Sequence, residues 1–307
     1  MNESAPSSTA PQRLRSLDAL RGFDMFWIVG GKSVIVALGT LTGWTVFQSI
    51  LDEMHHPEWN GFAFYDLIFP LFLFIAGVAM PYSLTRRVEA GYPKGPLYWR
   101  VIRRGVVLVL LGLVYQGLLN FDFANLRYPS VLGRIGLAYM FAALILLNTS
   151  WRAQLAWAVG LILGYWAAMV WIPVPGFGAA DLAAGHTLAD YIDRSLLPGK
   201  LYMGVRDPEG LLSTVPAIAT ALFGALAGYW IRLGRAGGHA KAAAMFAVGL
   251  ACLAIGWFWN GWFPVNKNLW SSSFVMVTAG WSLMLLSLFY WVIDVVGCHR
   301  WAFPLTV

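Results

Sequence analysis

The densest group of chemically competent residues is His55-His56-Pro57-Glu58-Trp59-Asn60-Gly61, running directly into FAFYDLIFPLFLFIAG. An imidazole titrates near neutrality and can take a proton from an amine or hydroxyl nucleophile. Asp66 follows in the apolar run. With a helix over 62–84, it falls about one and a half turns beyond Asn60, roughly 9 Å deeper along the axis. A carboxylate there would orient His56 or hold a substrate amine. The competing reading is an aromatic interfacial belt carrying a solvated histidine pair, and spacing alone does not choose between them.

Three further clusters precede apolar runs in the same sense along the chain. Arg134 sits in SVLGRIGLAY and is a candidate partner for Asp66 or for an anion. Asp207-Pro208-Glu209-Gly210 precedes LLSTVPAIAT, with Ser213 and Thr214 as candidate helix caps. Asn266-Lys267-Asn268-Leu269-Trp270 precedes the last long run. Trp59, Asn60, Arg134, Asp207, Glu209, Asn266, Lys267 and Asn268 are therefore candidate substrate-binding residues, with His56 and Asp66 as the candidate catalytic pair. In the first run, SLDALRGFDMFWIVGGK, Asp18 and Arg21 share a helix face at a spacing of three. Asp24 and Lys32 lie deeper, and a lysine at that depth calls for a carboxylate partner or a water-filled cavity. Arg21, Lys32, Arg103 and Arg104 are candidates for a polyanionic cofactor, since basic residues near 86–104 serve either as lipid-headgroup anchors or as its attractor. No metal-ligand motif, phosphate loop, serine elbow or nucleic-acid module is present. His186, His239 and His299 read as surface residues, and Cys252 and Cys298 as unpaired thiols.

The elements that position these residues follow from composition. Of 307 residues, 59% are hydrophobic and only 12% are charged, with a mean hydropathy of +0.63. That excludes an ordinary soluble enzyme, a disordered chain and a disulfide scaffold. The net charge of +6 and pI of 9.4 do not mark a nucleic-acid binder, because the charges sit in short loops between apolar runs. The expected fold is all-α, a polytopic membrane helix bundle. About eight transmembrane segments are read: 17–40, 62–84, 101–120, 131–148, 152–172, 213–232, 241–260 and 271–293. With each crossing once, Arg13, Arg15, Arg86, Arg87, Lys94, Arg100, Arg103, Arg104, Arg152, Arg232, Arg235, Lys241 and Arg300 share one side. The Lys/Arg bias makes that side cytoplasmic, with the N-terminus inside and the histidine cluster outside. Residues 1–12 read as a disordered polar tail, and 13–307 as one membrane domain.

At RLRSLDALRGF, HPEWNGFAFYDLIFPLFLFIAG, VLGRIGLAY, DPEGLLSTVPAIAT and VNKNLWSSSFV the chain resembles one family. It is similar to the bacterial relatives of heparan-α-glucosaminide N-acetyltransferase, a group of transmembrane acyltransferases. The five motifs occur in family order, from residue 13 to about 304. The resemblance implies acetyl transfer from cytosolic acetyl-CoA, as co-substrate and without a metal, to an acceptor across the membrane. In the lysosomal enzyme that acceptor is the terminal glucosamine amine of heparan sulfate. The family's active histidine stands three residues before the Trp of Trp-Asn-Gly, and His56 holds that position. The family's implicated asparagine near the outer end of its first helix aligns with Lys32, so its role does not carry over. Family members continue for two or more helices past the Phe-Pro near 304, so the family's C-terminal helices are expected to lie outside this chain.

The expected function is thus an acetyl-CoA-dependent transmembrane N- or O-acyltransferase. It would act on an amino sugar or glycan at the outer face of a bacterial inner membrane, with lipid as surroundings, no nucleic-acid partner, and a homodimer left open. The alternative is a transporter of a small anion or sugar, using Lys32, Asp24, Asp66 and Arg134 as a charge relay. Against it stands the lack of an internal repeat and of paired Gly/Pro-broken helices.

Overall fold

A computed structural model describes residues 14–306. The expected tail at 1–12 and Arg13 lie outside the described residues. The chain folds as helices α1 Arg15–Thr42, α2 Thr45–Asp52, α3 Tyr65–Glu89, α4 Lys94–Tyr115, α5 Val131–Asn148, α6 Trp151–Trp171, α7 Leu188–Leu196, α8 Thr214–Leu233, α9 Gly238–Trp259 and α10 Ser272–Val295. Two short helical turns, Arg300–Ala302 and Phe303–Thr306, follow.

Among the described residues seven helices are long and apolar enough to cross a membrane: α1, α3, α5, α6, α8, α9 and α10. The shortest of them has 18 residues, so at 1.5 Å per residue it is about 27 Å long against a hydrocarbon core of about 30 Å. The expected eighth segment, 101–120, corresponds to α4, whose Arg100, Arg103 and Arg104 make it less apolar. It nevertheless runs antiparallel to α5 over the full length of that helix. Gly112 faces Ser130 and Gly133, Gly105 faces Gly136, and Lys94 Nζ donates to the Leu147 carbonyl at 2.7 Å.

The buried centre is α3, α8 and α10, with α1, α5, α6 and α9 around them. Small residues let these helices approach. A Cβ added to Gly77 of α3 would stand 2.0 Å from the Ala221 carbonyl oxygen of α8, and one added to Gly224 of α8 would stand 2.0 Å from that of Phe74. Without a water-driven hydrophobic effect inside lipid, such close backbone contact supplies dispersion energy instead. Large side chains (Leu73, Phe74, Ile75, Phe274) then fill the layers between glycines and are at most 1% exposed.

α1 is interrupted by a π-helical turn at Trp27–Gly31. N-terminal to it, Leu17, Ala19, Leu20 and Asp24 are buried. From Lys32 to Thr42 no residue is buried, so this half faces outward. The deep cation therefore does not meet the expectation of a carboxylate partner: among the described residues no ion pair includes Lys32. Asp24 is fully buried, and neither of its carboxylate oxygens has a hydrogen-bond partner.

Candidate functional site

Two loops carry the chemistry, one entering α3 and one entering α10. α3 begins at Tyr65, three residues later than expected, which puts Asp66 in its first turn and not deep in the helix. There Asp66 Oδ2 accepts the Ala63 backbone N–H at 3.0 Å, satisfying an otherwise unpaired donor at a helix end where negative charge is favoured. The loops are tied together directly. Gly61 N–H donates to the Val265 carbonyl at 2.8 Å, and Asn266 Nδ2 donates to Asn60 Oδ1 at 3.1 Å. Asn266 Oδ1 accepts the Leu269 N–H at 3.0 Å, and the Ser271 hydroxyl accepts the Asn266 N–H at 3.0 Å. Asn60 and Asn266 thus act on loop geometry.

That coupling sets Lys267 on His56. His56 Nδ1 and Asp66 Oδ1 are 2.5 Å apart, and Lys267 Nζ stands 3.0 Å from His56 Nε2, 3.3 Å from Nδ1 and 3.4 Å from Asp66 Oδ1. An ionised Asp66 can only accept, so Nδ1 carries the proton donated to Oδ1 and the Nε2 lone pair is left free. Lys267 Nζ, nearly equidistant from the two ring nitrogens, lies over that edge of the ring and not on the Nε2 lone-pair axis. Asp66 is 1% exposed, whereas the imidazole is 45% exposed and lies on the cavity side. Burial pushes the Lys267 ammonium below the usual lysine range, although Asp66 works against the shift.

The cavity at this end of the bundle has a volume of about 650 Å³, within the range of small-molecule sites. Of the expected residues, His56, Asp66, Trp59, Glu209, Lys267 and Asn268 line it. Asn60, Asn266, Asp207 and Arg134 do not line it. Arg134 does not pair with Asp66 as expected. It is 2% exposed, donates to the Ser213 hydroxyl, and lies 4.9 Å from the centre of the Trp270 ring. Ser213 accordingly does not cap α8. It accepts from Arg134 and donates to the Gly210 carbonyl, as Thr214 also does.

Arg127, which is not among the expected site residues, also lines the cavity. Its Nε and a terminal nitrogen donate to Asp207 at 2.7 and 2.6 Å, and it also donates to Glu209. Burial disfavours the charge, but the two carboxylates outweigh it and hold Arg127 above its ordinary value. Tyr202 covers the guanidinium at 4.4 Å, and Arg206 lies 4.2 Å over Trp59. Asp-Pro-Glu, two carboxylates two residues apart ahead of a membrane helix, was the signal that a cation had to be near. Nothing in the sequence said which one.

The four cofactor candidates lie on two helices. Arg21 pairs with Asp18 at 3.4 Å, as its spacing predicts, and Lys32 follows on the same helix. Arg103 and Arg104 are exposed on α4, with Arg104 over the Tyr139 ring at 4.6 Å. α1 packs on α3, α10 and the last helical turn, while α4 packs on α5.

Fold and site define a polytopic helical membrane protein with a carboxylate–imidazole–lysine cluster open to a cavity at one end of its bundle. Comparison with known proteins narrows the class. Residues 13–117 match a family model described as "Domain of unknown function (DUF5009)". The chain is 29% identical to heparan-alpha-glucosaminide N-acetyltransferase of Homo sapiens over 94% of its length and 50% of the human protein's. It is 28% identical to the Mus musculus protein of that name over the same shares. The resemblance carried by the five motifs thus extends along nearly the whole chain, which spans about half the length of the curated relatives it matches.

Proposed function

We propose that this chain is a membrane acetyltransferase that moves an acetyl group from cytosolic acetyl-CoA to the amine of an amino sugar or glycan on the other side of the bilayer. The reading rests on one observation. His56 is fixed by a buried carboxylate on one nitrogen and offers the other to a cavity of about 650 Å³, in a chain whose relatives are named as N-acetyltransferases.

In this reading Asp66 holds the imidazole with its proton on Nδ1, leaving the Nε2 lone pair as the base. The acceptor nitrogen attacks the thioester carbonyl carbon, its proton passes to Nε2, the carbon–sulfur bond breaks, and the leaving thiolate takes that proton. General-base assistance of this kind contributes about 10²–10⁴-fold. The same geometry serves a two-step route in which Nε2 itself first attacks the thioester and carries the acetyl group. Exchange of label between CoA and acetyl-CoA without acceptor identifies the two-step route. Trp59 and Glu209 line the acceptor cavity, and an aromatic face beside a carboxylate suits a sugar bearing an amine. Arg21, Arg103 and Arg104 would attract the phosphates of CoA from the basic side, with Lys32 further along α1 toward the reacting end.

The test is proteoliposomes supplied with acetyl-CoA and a panel of amino sugars, read by mass spectrometry. An acetylated amino sugar is the expected product. Substrate moving across the bilayer while acetyl-CoA stays unconsumed is the outcome that would replace the proposal with transport.

A further inference from the structure

The cavity already contains an amine. Lys267 Nζ stands 3.0 Å from His56 Nε2 and 3.3 Å from Nδ1, against the ring edge and within reach of the Nε2 lone pair once its side chain swings toward that axis. An acceptor amine served by His56 binds next to that position. Lys267 is held there because its loop is bonded to the histidine loop through Gly61–Val265 and Asn60–Asn266. Its side chain is 23% exposed and lines the cavity, so a thioester admitted for the acceptor also meets Nζ. Burial favours the neutral amine, which is the nucleophilic form.

Resting on the transferase reading above, we infer that Lys267 is an internal acceptor and a self-acetylation site: with no sugar acceptor present, the acetyl group passes to Lys267 Nζ. The neutral amine attacks the acetyl carbonyl carbon and a nitrogen–carbon bond forms. The carbon–sulfur bond breaks. One proton moves from Nζ to His56 Nε2 and from there to the CoA thiolate, leaving an amide and free CoA. The acetylated side chain has lost its charge and the Asp66 contact and fills the acceptor position. The cavity of that chain is then closed to further transfer. Among the described residues no other lysine is hydrogen-bonded to an imidazole; Lys94 is bonded to the Leu147 carbonyl and Lys241 to that of Ile231.

The experiment incubates the purified full chain with acetyl-CoA labelled in its acetyl group, with and without an amino-sugar acceptor. An acid step hydrolyses any acetyl-imidazole before peptide mass spectrometry. Without acceptor, Lys267 is expected to carry label far above Lys32, Lys94, Lys200 and Lys241. That label should fall by at least about 10²-fold in His56→Gln, and should fall when acceptor is added. A His56→Asn variant and a gel-filtration profile guard against a folding defect in either substitution. If acceptor is acetylated while Lys267 stays unmodified, this inference is overturned and the transferase reading stands. Equal labelling of Lys267 in His56→Gln likewise overturns it. If acetyl-CoA is consumed in neither arm, the transferase reading falls, and the inference with it.

Discussion

Replacing Asp66 by Asn changes one atom and leaves the shape of the site intact, which makes it the sharpest probe of how the imidazole is held. Asp66 divides its two oxygens: Oδ2 accepts the Ala63 N–H at 3.0 Å, and Oδ1 faces His56 Nδ1 at 2.5 Å. An asparagine keeps the first bond only by leaving its oxygen on Ala63, which turns its NH₂ toward Nδ1. Two donors cannot share that contact, so Nδ1 gives up its proton and Nε2 gains it. The lone pair that serves as the base is then lost, and Lys267 Nζ, 3.4 Å from Oδ1 in the native chain, faces an amide instead of a carboxylate. Loss of the correct tautomer in a comparable histidine–carboxylate pair costs about 10⁴ in kcat. With the wider range for general-base assistance, Asp66→Asn is expected to lower kcat by about 10²–10⁴-fold. KM should change far less, since Asp66 is 1% exposed and lies beneath the histidine. The assay is acetyl transfer to an amino sugar at saturating acetyl-CoA, paired with a thermal melt. A rate within a few-fold of the native chain, with an unchanged melt, would refute the argument that Asp66 fixes the tautomer.

Other consequences are as direct. Arg127→Ala strands Asp207, whose side chain is wholly buried, beside Glu209. Breaking such a pair costs about 3–5 kcal/mol, visible as a lowered Tm, and Arg127→Lys should not restore it because the two-nitrogen contact with Asp207 is lost. Gly77→Val should separate α3 from α8, since even a methyl group there meets the Ala221 carbonyl. A fall in Tm is expected, and an unchanged melt would contradict the packing. Burial pushes the Asp193 carboxyl up to about 6, above its unfolded value of about 3.9. The folded state therefore holds the extra proton, and this group's stabilisation is full below pH about 4 and is lost as pH rises through about 6. Asp193→Asn, which can still accept from the Leu211 N–H, should raise Tm at pH 7 relative to the native chain and give no gain at pH 4; melts at the two pH values check it.

The membrane helices were readable because each needs a long apolar run. The expected segment 131–148 coincides with Val131–Asn148, and 152–172 with Trp151–Trp171, within one residue. α4 begins and ends earlier than the expected 101–120. Its arginines read as loop, although a helix end at the headgroup level tolerates them. Gly117, with φ of +98°, marks the true stop that the apolar run over 101–120 passed through. The helix Leu188–Leu196 lies between the expected segments, in 173–212, where no element is expected. Its capping box, Thr187 with Asp190, was present in the sequence as Thr-Leu-Ala-Asp. The candidate site divides in the same way. The carboxylate lies ten residues from His56, so the pair could be named from one stretch of chain. Lys267 is 211 residues away from His56 and Arg127 is 80 from Asp207, and those contacts depend on packing that no local spacing encodes. Arg134 illustrates the converse. A charged residue at the start of a membrane helix reads as a partner for Asp66 or for an anion, but it is committed to Ser213 and Trp270.

The central claim is that acetyl transfer runs through His56. The direct measurement is acetylation of an amino sugar by purified His56→Ala chain beside the native chain, at equal protein and saturating acetyl-CoA, with matched melts. A loss of at least about 10²-fold is the expected result. Unchanged transfer by the variant would contradict the account.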